Sequence, residues 1–157
     1  MDKKDVVPAI SIDESLIRHR VKFEVEGKPF GKQRPRVVHR GGFSRAYTPK
    51  ETVEYEKKVK SSYLSSPESI IKMDKPIKAD IIGIFPIPES TSKKKRKYMI
   101  ENKVHHTKKP DCDNIAKSIL DALNNVAYYD DSQICKLSVE KYYGEVPKVI
   151  VSLNEIN

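Results

Sequence analysis

Tryptophan is absent from the 157 residues, and aromatic residues make up only 8%. With 38% hydrophobic residues, the chain has apolar mass for one modest core and length for one domain. Two cysteines, Cys112 and Cys135, exclude a disulfide framework and predict a reducing, cytoplasmic setting. No apolar run approaches the ~18 residues of a membrane-spanning helix. The opening MDKKDVVPAISIDES has no apolar stretch of secretory-signal length, so export is not expected. Neither GxGxxG nor GxxxxGK followed by Ser or Thr occurs, which leaves a dinucleotide or P-loop reading without footing. Cys112, Cys135, His105 and His106 match no common zinc module, and a Cys nucleophile with a His base is equally unsupported. There are no internal repeats.

What is present is positive charge, and it is segregated. The formal charge is +8. Residues 28–50 hold Lys28, Lys32, Arg34, Arg36, Arg40, Arg45 and Lys50 and no acid. Residues 93–109 hold eight Lys or Arg, five of them in the run Lys93–Lys97, against the single Glu101. Each stretch carries +7, so the remainder is acidic at −6. Such a distribution describes a binding face. A polyphosphate backbone is the partner that rewards many separated cations, because each releases counterions.

The apolar pattern predicts a single α+β domain from residue 20 to 157, after an N-terminal tail or appended element over residues 1–19. Val21, Phe23 and Val25 alternate with Lys22, Glu24 and Glu26, as in a half-buried strand. Residues 28–47 have no apolar period and read as a long basic loop or ribbon. Thr48-Pro49-Lys50-Glu51 predicts a helix start, with Thr48 capping, Pro49 in the first helical position and Glu51 completing a capping box. Thr52, Val53, Glu56, Val59 and Tyr63 then form one helical face, and the helix should stop near Ser65-Ser66-Pro67. Residues 76–86 predict an Ile-rich strand, and Ser90-Thr91-Ser92 the cap of a short basic helix reaching about Asn102. A further helix is expected from Cys112 to Asn124, with Ile115, Ala116, Ile119, Leu120, Ala122 and Leu123 as its apolar face. Asn124-Asn125 would end it in the left-handed region. Strands follow at 133–143 and 148–154, expected to form a hairpin across Glu145-Val146-Pro147. Tyr128, Tyr129, Tyr142 and Tyr143 read as core or interface residues.

One acidic group stands out by its setting. Asp111 and Asp113 flank Cys112 at a helix start, and Asp130 and Asp131 follow that helix. A helix N-terminus favours carboxylates on its own account, so a cap and a turn would explain these acids without chemistry. Yet two carboxylates two residues apart, with a third expected to return beside them, would make an oxygen cluster suited to Mg²⁺ or Mn²⁺. Lys117 lies four residues after Asp113, on the same helix face. The basic segment His105–Lys109 runs straight into Asp111. Cations to hold a phosphodiester backbone and acids to hold a metal are the parts of a phosphodiester-hydrolysing site.

The stretch KPDCDNIAKSILDALNNVAYYDDSQ, residues 109–133, resembles the RusA family of Holliday-junction resolvases. Its DxDN, the Lys three residues after that Asn, DAL and the DD pair followed by x-Q all occur in order. Upstream, GKQRPR at 31–36 and YTP at 47–49 look like elements of the family's phage and Gram-positive branch. The resemblance covers about residues 21–154. It implies a dimeric RusA-like domain: a mixed sheet of about four strands packed by two main helices. It also implies a metal-dependent endonuclease that resolves four-way DNA junctions by paired symmetric nicks, in the cytoplasm with the nucleoid, in recombination and repair, and leaning to a phage or prophage origin.

By resemblance, Asp111, Asp113 and Asp131 would be the catalytic, metal-binding carboxylates and Lys117 the catalytic lysine, with Mg²⁺ as cofactor and Mn²⁺ possible. Asp130 would stand back from the metal, Asn114 would hold the helix start, and Asp121 would have a structural role at the dimer seam or helix surface. Cys112, where many members carry an apolar residue, would face the core. Lys32, Arg34, Arg36, Arg40, Arg45, Lys108 and Lys109 are the candidate DNA-binding residues, and Lys93–Lys97 would widen that face. Two other functions fit the same charge pattern: a basic DNA- or RNA-binding module without catalysis, and a nuclease for other branched DNA such as flaps. A pure binder, however, has no reason to place three acids beside its cationic loops, since they repel phosphate.

Overall fold

Alternation of apolar and polar residues builds four strands whose inner faces form one continuous layer. The computed structural model describes residues 17–156, and the tail expected before residue 17 lies outside them. The strands are β1 (Ile17–Glu26), β4 (Ile77–Pro86), β5 (Ile134–Gly144) and β6 (Lys148–Ile156). β1 begins at Ile17, three residues inside the segment expected to be tail. Val21, Phe23 and Val25 of β1, Ile77, Ala79, Ile81 and Phe85 of β4, and Val149, Val151 and Leu153 of β6 are all buried.

Two helices cover that face. α1 (Lys50–Leu64) contributes Thr52, Val59 and Tyr63. α3 (Cys112–Ala122) contributes Ile115, Ala116, Ile119 and Leu120. Phe23 meets Tyr63 edge-on, ring centroids 5.6 Å apart, a favourable arrangement for the two quadrupoles. The short α2 (Lys93–Ile100) is the basic helix that the sequence predicts, and the Ser92 side chain accepts a bond from the Lys95 amide at its start. The mixed sheet and its helices are thus the α+β architecture expected.

The expected hairpin of the last two strands does not form. The sheet order is β1-β6-β4-β5. β4 lies between β5 and β6, parallel to the first and antiparallel to the second. Burial explains the order: β4 and β6 carry the most apolar inner faces, whereas β5 is exposed over most of its first half and suits an edge. Parallel pairing of β4 with β5 needs a long crossover, and residues 87–133 with α2 and α3 supply it.

At α1 the expected capping box is also absent. Pro49 is the N-cap, and no side chain caps the helix. Proline at that position presets φ for the helix entry but carries no side-chain oxygen to accept from the first-turn amides.

A second, two-stranded sheet stands apart: β2 (Arg36–Arg40) and β3 (Phe43–Tyr47), antiparallel. Every residue of both strands is exposed. The turn between them is Gly41-Gly42, with φ of 56° and 78°. Two successive positive φ values define the tight turn that matches the twist of a β-ribbon, and glycine occupies them without steric cost.

Candidate functional site

The N-terminal end of α3 is built by three segments that converge on it. The loop after β1 approaches so closely that a Cβ on Gly31 would lie 2.6 Å from Cβ of Pro110. The Lys32 amide donates to the Asn114 carbonyl at 3.1 Å, and the Ser118 hydroxyl donates to the Phe30 carbonyl at 2.7 Å. From β5, Lys141 Nζ donates to the carbonyls of Lys108 at 2.8 Å and Pro110 at 3.1 Å. Sequence reasoning missed Lys141, because its partners lie about thirty residues upstream across the sheet.

On this frame Asp111 is the α3 N-cap, but its side chain caps nothing. Its two carboxylate oxygens accept instead from Lys109 Nζ at 2.8 and 2.7 Å. Asp113 sits in the first turn, exposed, and Lys117 is exposed one turn on. Among the described residues neither takes part in an ion pair, so the ordinary i,i+4 bridge between them is not formed. Both groups are available to an outside ligand. Cys112 is exposed rather than turned into the core. As the first helical residue it precedes the apolar face, which begins at Ile115.

Asp131 stands elsewhere. Its amide is bound by Asn124 Oδ1 at 3.0 Å, just past the C-terminal end of α3. With eleven residues in α3, the two ends of the helix lie about 16 Å apart. Within one chain Asp131 therefore does not return to Asp111 and Asp113, contrary to the expectation from spacing. Among the described residues no three His, Cys, Asp or Glu side chains are grouped to hold a metal ion. The carboxylates have the right chemistry for a hard divalent cation, but a single chain does not assemble the set.

Asp130 and Gln133 explain their own places in the motif. Asp130 caps the 3₁₀ turn Asp131–Gln133 and accepts from the Ser132 amide and hydroxyl, and those bonds hold its carboxyl below the usual range. Gln133 Oε1 accepts from the amides of Tyr129 and Asp130, and its Nε2 donates to the carbonyls of Met73 and Lys75. The turn is thereby tied to the entry of β4. Tyr128 below it is fully buried, and its hydroxyl donates to the Leu120 carbonyl; burial, then the charges of Asp131, Asp121 and Asp130, pushes that phenol upward.

The candidate DNA-binding cations divide into two kinds. Lys32 reaches Asp121 at 2.6 Å and Glu56 at 3.2 Å, with three-quarters of each side chain buried. Burial opposes its charge, but the bonds to Asp121 and Glu56 outweigh that and raise its pKa above the ordinary value. Lys32 thus ties the loop to α1 and α3, and Asp121 has its structural role as the partner. Lys109 is exposed but engaged with Asp111. Arg34, Arg36, Arg40, Arg45 and Lys108 are exposed, and their side chains make no ion pair among the described residues. Lys93–Lys97 lie on α2, most of them exposed.

His106 is the one buried histidine among the described residues. It stacks on Phe85 with centroids 3.7 Å apart. Burial, followed by the charges of Lys141, Lys28 and Lys108, pushes its imidazole down to about 4. It stays neutral at pH 7 and packs as an aromatic plate.

Comparison with known proteins places this arrangement in context. The family model "Endodeoxyribonuclease RusA" matches residues 26–154. A protein of Bacillus subtilis (strain 168), described as "Uncharacterized protein YqaN", is 37% identical over 141 residues, covering 87% of this chain and 97% of the relative. The "Crossover junction endodeoxyribonuclease rusA" of Lactococcus phage r1t is 24% identical over 141 residues, covering 89% of this chain and 100% of the relative. No described helix is long and apolar enough to cross a membrane.

Proposed function

This chain belongs to the RusA endodeoxyribonuclease family, and from that premise we propose that it resolves four-way DNA junctions by paired symmetric nicks, with Mg²⁺ as cofactor and Mn²⁺ as a substitute. The observation that carries the reading is the exposed Asp113 and Lys117 at the N-terminal end of α3, without ion pairs among the described residues, beside exposed cations and inside the matched family span. The proposed setting is the cytoplasm, at the nucleoid.

Asp111, Asp113 and Asp131 are the proposed metal ligands. A bound divalent cation supplies an activated water and neutralises charge on the phosphate. Lys117 stabilises the charge that gathers on the phosphate as the P–O bond breaks. Arg34, Lys108 and the ribbon arginines hold the arms through their backbones. The Lys109–Asp111 pair is exposed, so Lys109 can exchange its carboxylate for a DNA phosphate at little cost.

The site needs a second copy. Antiparallel pairing of α3 with α3 of another subunit, about a two-fold axis, sets the N-terminal end of one helix beside the C-terminal end of the other. Asp131 of the partner subunit then stands beside Asp111 and Asp113. The open edge strand β5, with Leu137 half exposed, offers apolar surface for such a contact. Two such sites match the two strands a junction must have cut.

The test is cleavage of four-way junctions and linear duplex in Mg²⁺ and in EDTA. Symmetric nicks on the junction alone, abolished by EDTA, are expected. Asp113→Asn should lower cutting at least about 10³-fold while junction binding survives. Mixing Asp113→Asn with Asp131→Asn subunits should restore one nick per junction, because one of the two shared sites escapes both changes. If the mixture stays dead, the acids act within one chain. Tight junction binding without cutting would make the protein a binding module, and equal cutting of flaps would make it a general branched-DNA nuclease.

A further inference from the structure

The β2–β3 ribbon carries a side chain that phosphate binding does not explain. Its register pairs Arg36 with Tyr47, Val38 with Arg45 and Arg40 with Phe43. Strand alternation puts these six side chains on one face, and five of them, all but Arg36, line one shallow hollow. Phe43 forms the last pair before the Gly41-Gly42 turn and is 83% exposed. A benzyl group at the tip of a projecting arm gains nothing from phosphate or water. It gains from an apolar face, and a nucleobase offers one beside the phosphates that the three arginines bind.

We infer that the ribbon is a wedge, with Phe43 stacking on a base at the branch point of the DNA while Arg36, Arg40 and Arg45 grip the flanking phosphates. The inference rests on the proposed action on branched DNA. Continuous stacking is already broken where strands cross over, so inserting an aromatic ring costs least there and more within an intact duplex. The wedge therefore supplies preference for branched over linear DNA. Covering of this face by a second copy of itself is disfavoured, since it would oppose six arginines with no acid on either surface.

The absence of tryptophan makes the wedge directly observable, because Phe43→Trp introduces the sole indole. In EDTA, with binding followed separately by gel shift, the indole emission of that variant should be quenched on adding a four-way junction and little changed by linear duplex. Phe43→Ala, at a site with no internal packing to lose, should keep its thermal midpoint. It should bind the junction about tenfold more weakly and duplex within about twofold of the parent. Unchanged indole emission on a bound junction, or equal quenching by duplex, overturns the wedge and leaves the nuclease reading standing. A parent protein with no preference for junction over duplex overturns both.

Discussion

The basic stretch 28–50 contains two halves that look alike in sequence and behave oppositely in the fold. Around Lys32 the chain is anchored: its ammonium meets Glu56 and Asp121, its amide meets Asn114, and Gly31 lies against Pro110. Around Arg40 the chain projects, every residue of the ribbon is exposed, and among the described residues no acid pairs with its arginines. Positive charge therefore serves two purposes a few residues apart. One cation holds the loop against the start of α3, where Asp111 and Asp113 sit; the others face outward. Acids supplied by distant parts of the chain make the difference.

Three changes would break or sharpen that contrast, read first as stability. Lys32→Met should cost the most, about 2–3 kcal/mol, since it leaves Glu56 and Asp121 part-buried and unpaired. A thermal midpoint lowered by roughly 5–10 °C checks it, given about 2–4 °C per kcal/mol for a domain of this size. A change within 1 °C would mean that the ion pairs hold nothing.

Acid comes next, through His106. Its folded pKa is about 4, below the unfolded value, so the unfolded chain binds the extra proton between about pH 6.5 and 4. The contribution to stability is complete above that window and is lost as pH falls through it, on the order of 2 kcal/mol. His106→Phe should flatten this part of the stability–pH curve, and an unchanged slope would count against the assignment.

The smallest effect on stability is expected from changing Arg36, Arg40 and Arg45 together to Ala: less than about 0.5 kcal/mol, as for surface sites without partners. The same triple variant should show the largest loss in DNA affinity. Its binding should depend less steeply on salt, the slope of log affinity against log salt falling by about 2–3. A salt slope equal to that of the parent would remove the ribbon from the DNA interface.

Much of the scaffold was legible in local pattern. The alternation in β1 and β4 and the 3.6-residue spacing of Ile115, Ile119 and Leu123 are burial instructions that a few neighbouring residues carry. Ser92 could be read as a cap because the bond it makes spans three residues. Other readings required partners far away. Local pattern favours a hairpin of β5 and β6 because their connection is three residues long, but β4 takes the place beside β5 from 58 residues upstream. Cys112, expected to face the core as a small hydrophobe, faces solvent, since the buried stripe of α3 starts one turn later, at Ile115.

For the site, sequence picked out Asp111, Asp113, Lys117 and Asp131 as a group, because order and spacing along one helix and its exit are properties of the chain. Sequence by itself also determined the charge segregation, the periods of the strands and helices, and the residue types suited to a phosphodiester and a hard cation. Tertiary structure decided what those residues face. It placed Asp131 at the far end of α3, matched Lys32 with Asp121 across 89 positions, and lifted the ribbon clear of the core. The physical reason is range: periodicity and capping act over one or two turns of chain, whereas ion pairing, strand order and exposure are settled by whichever distant segments arrive in contact.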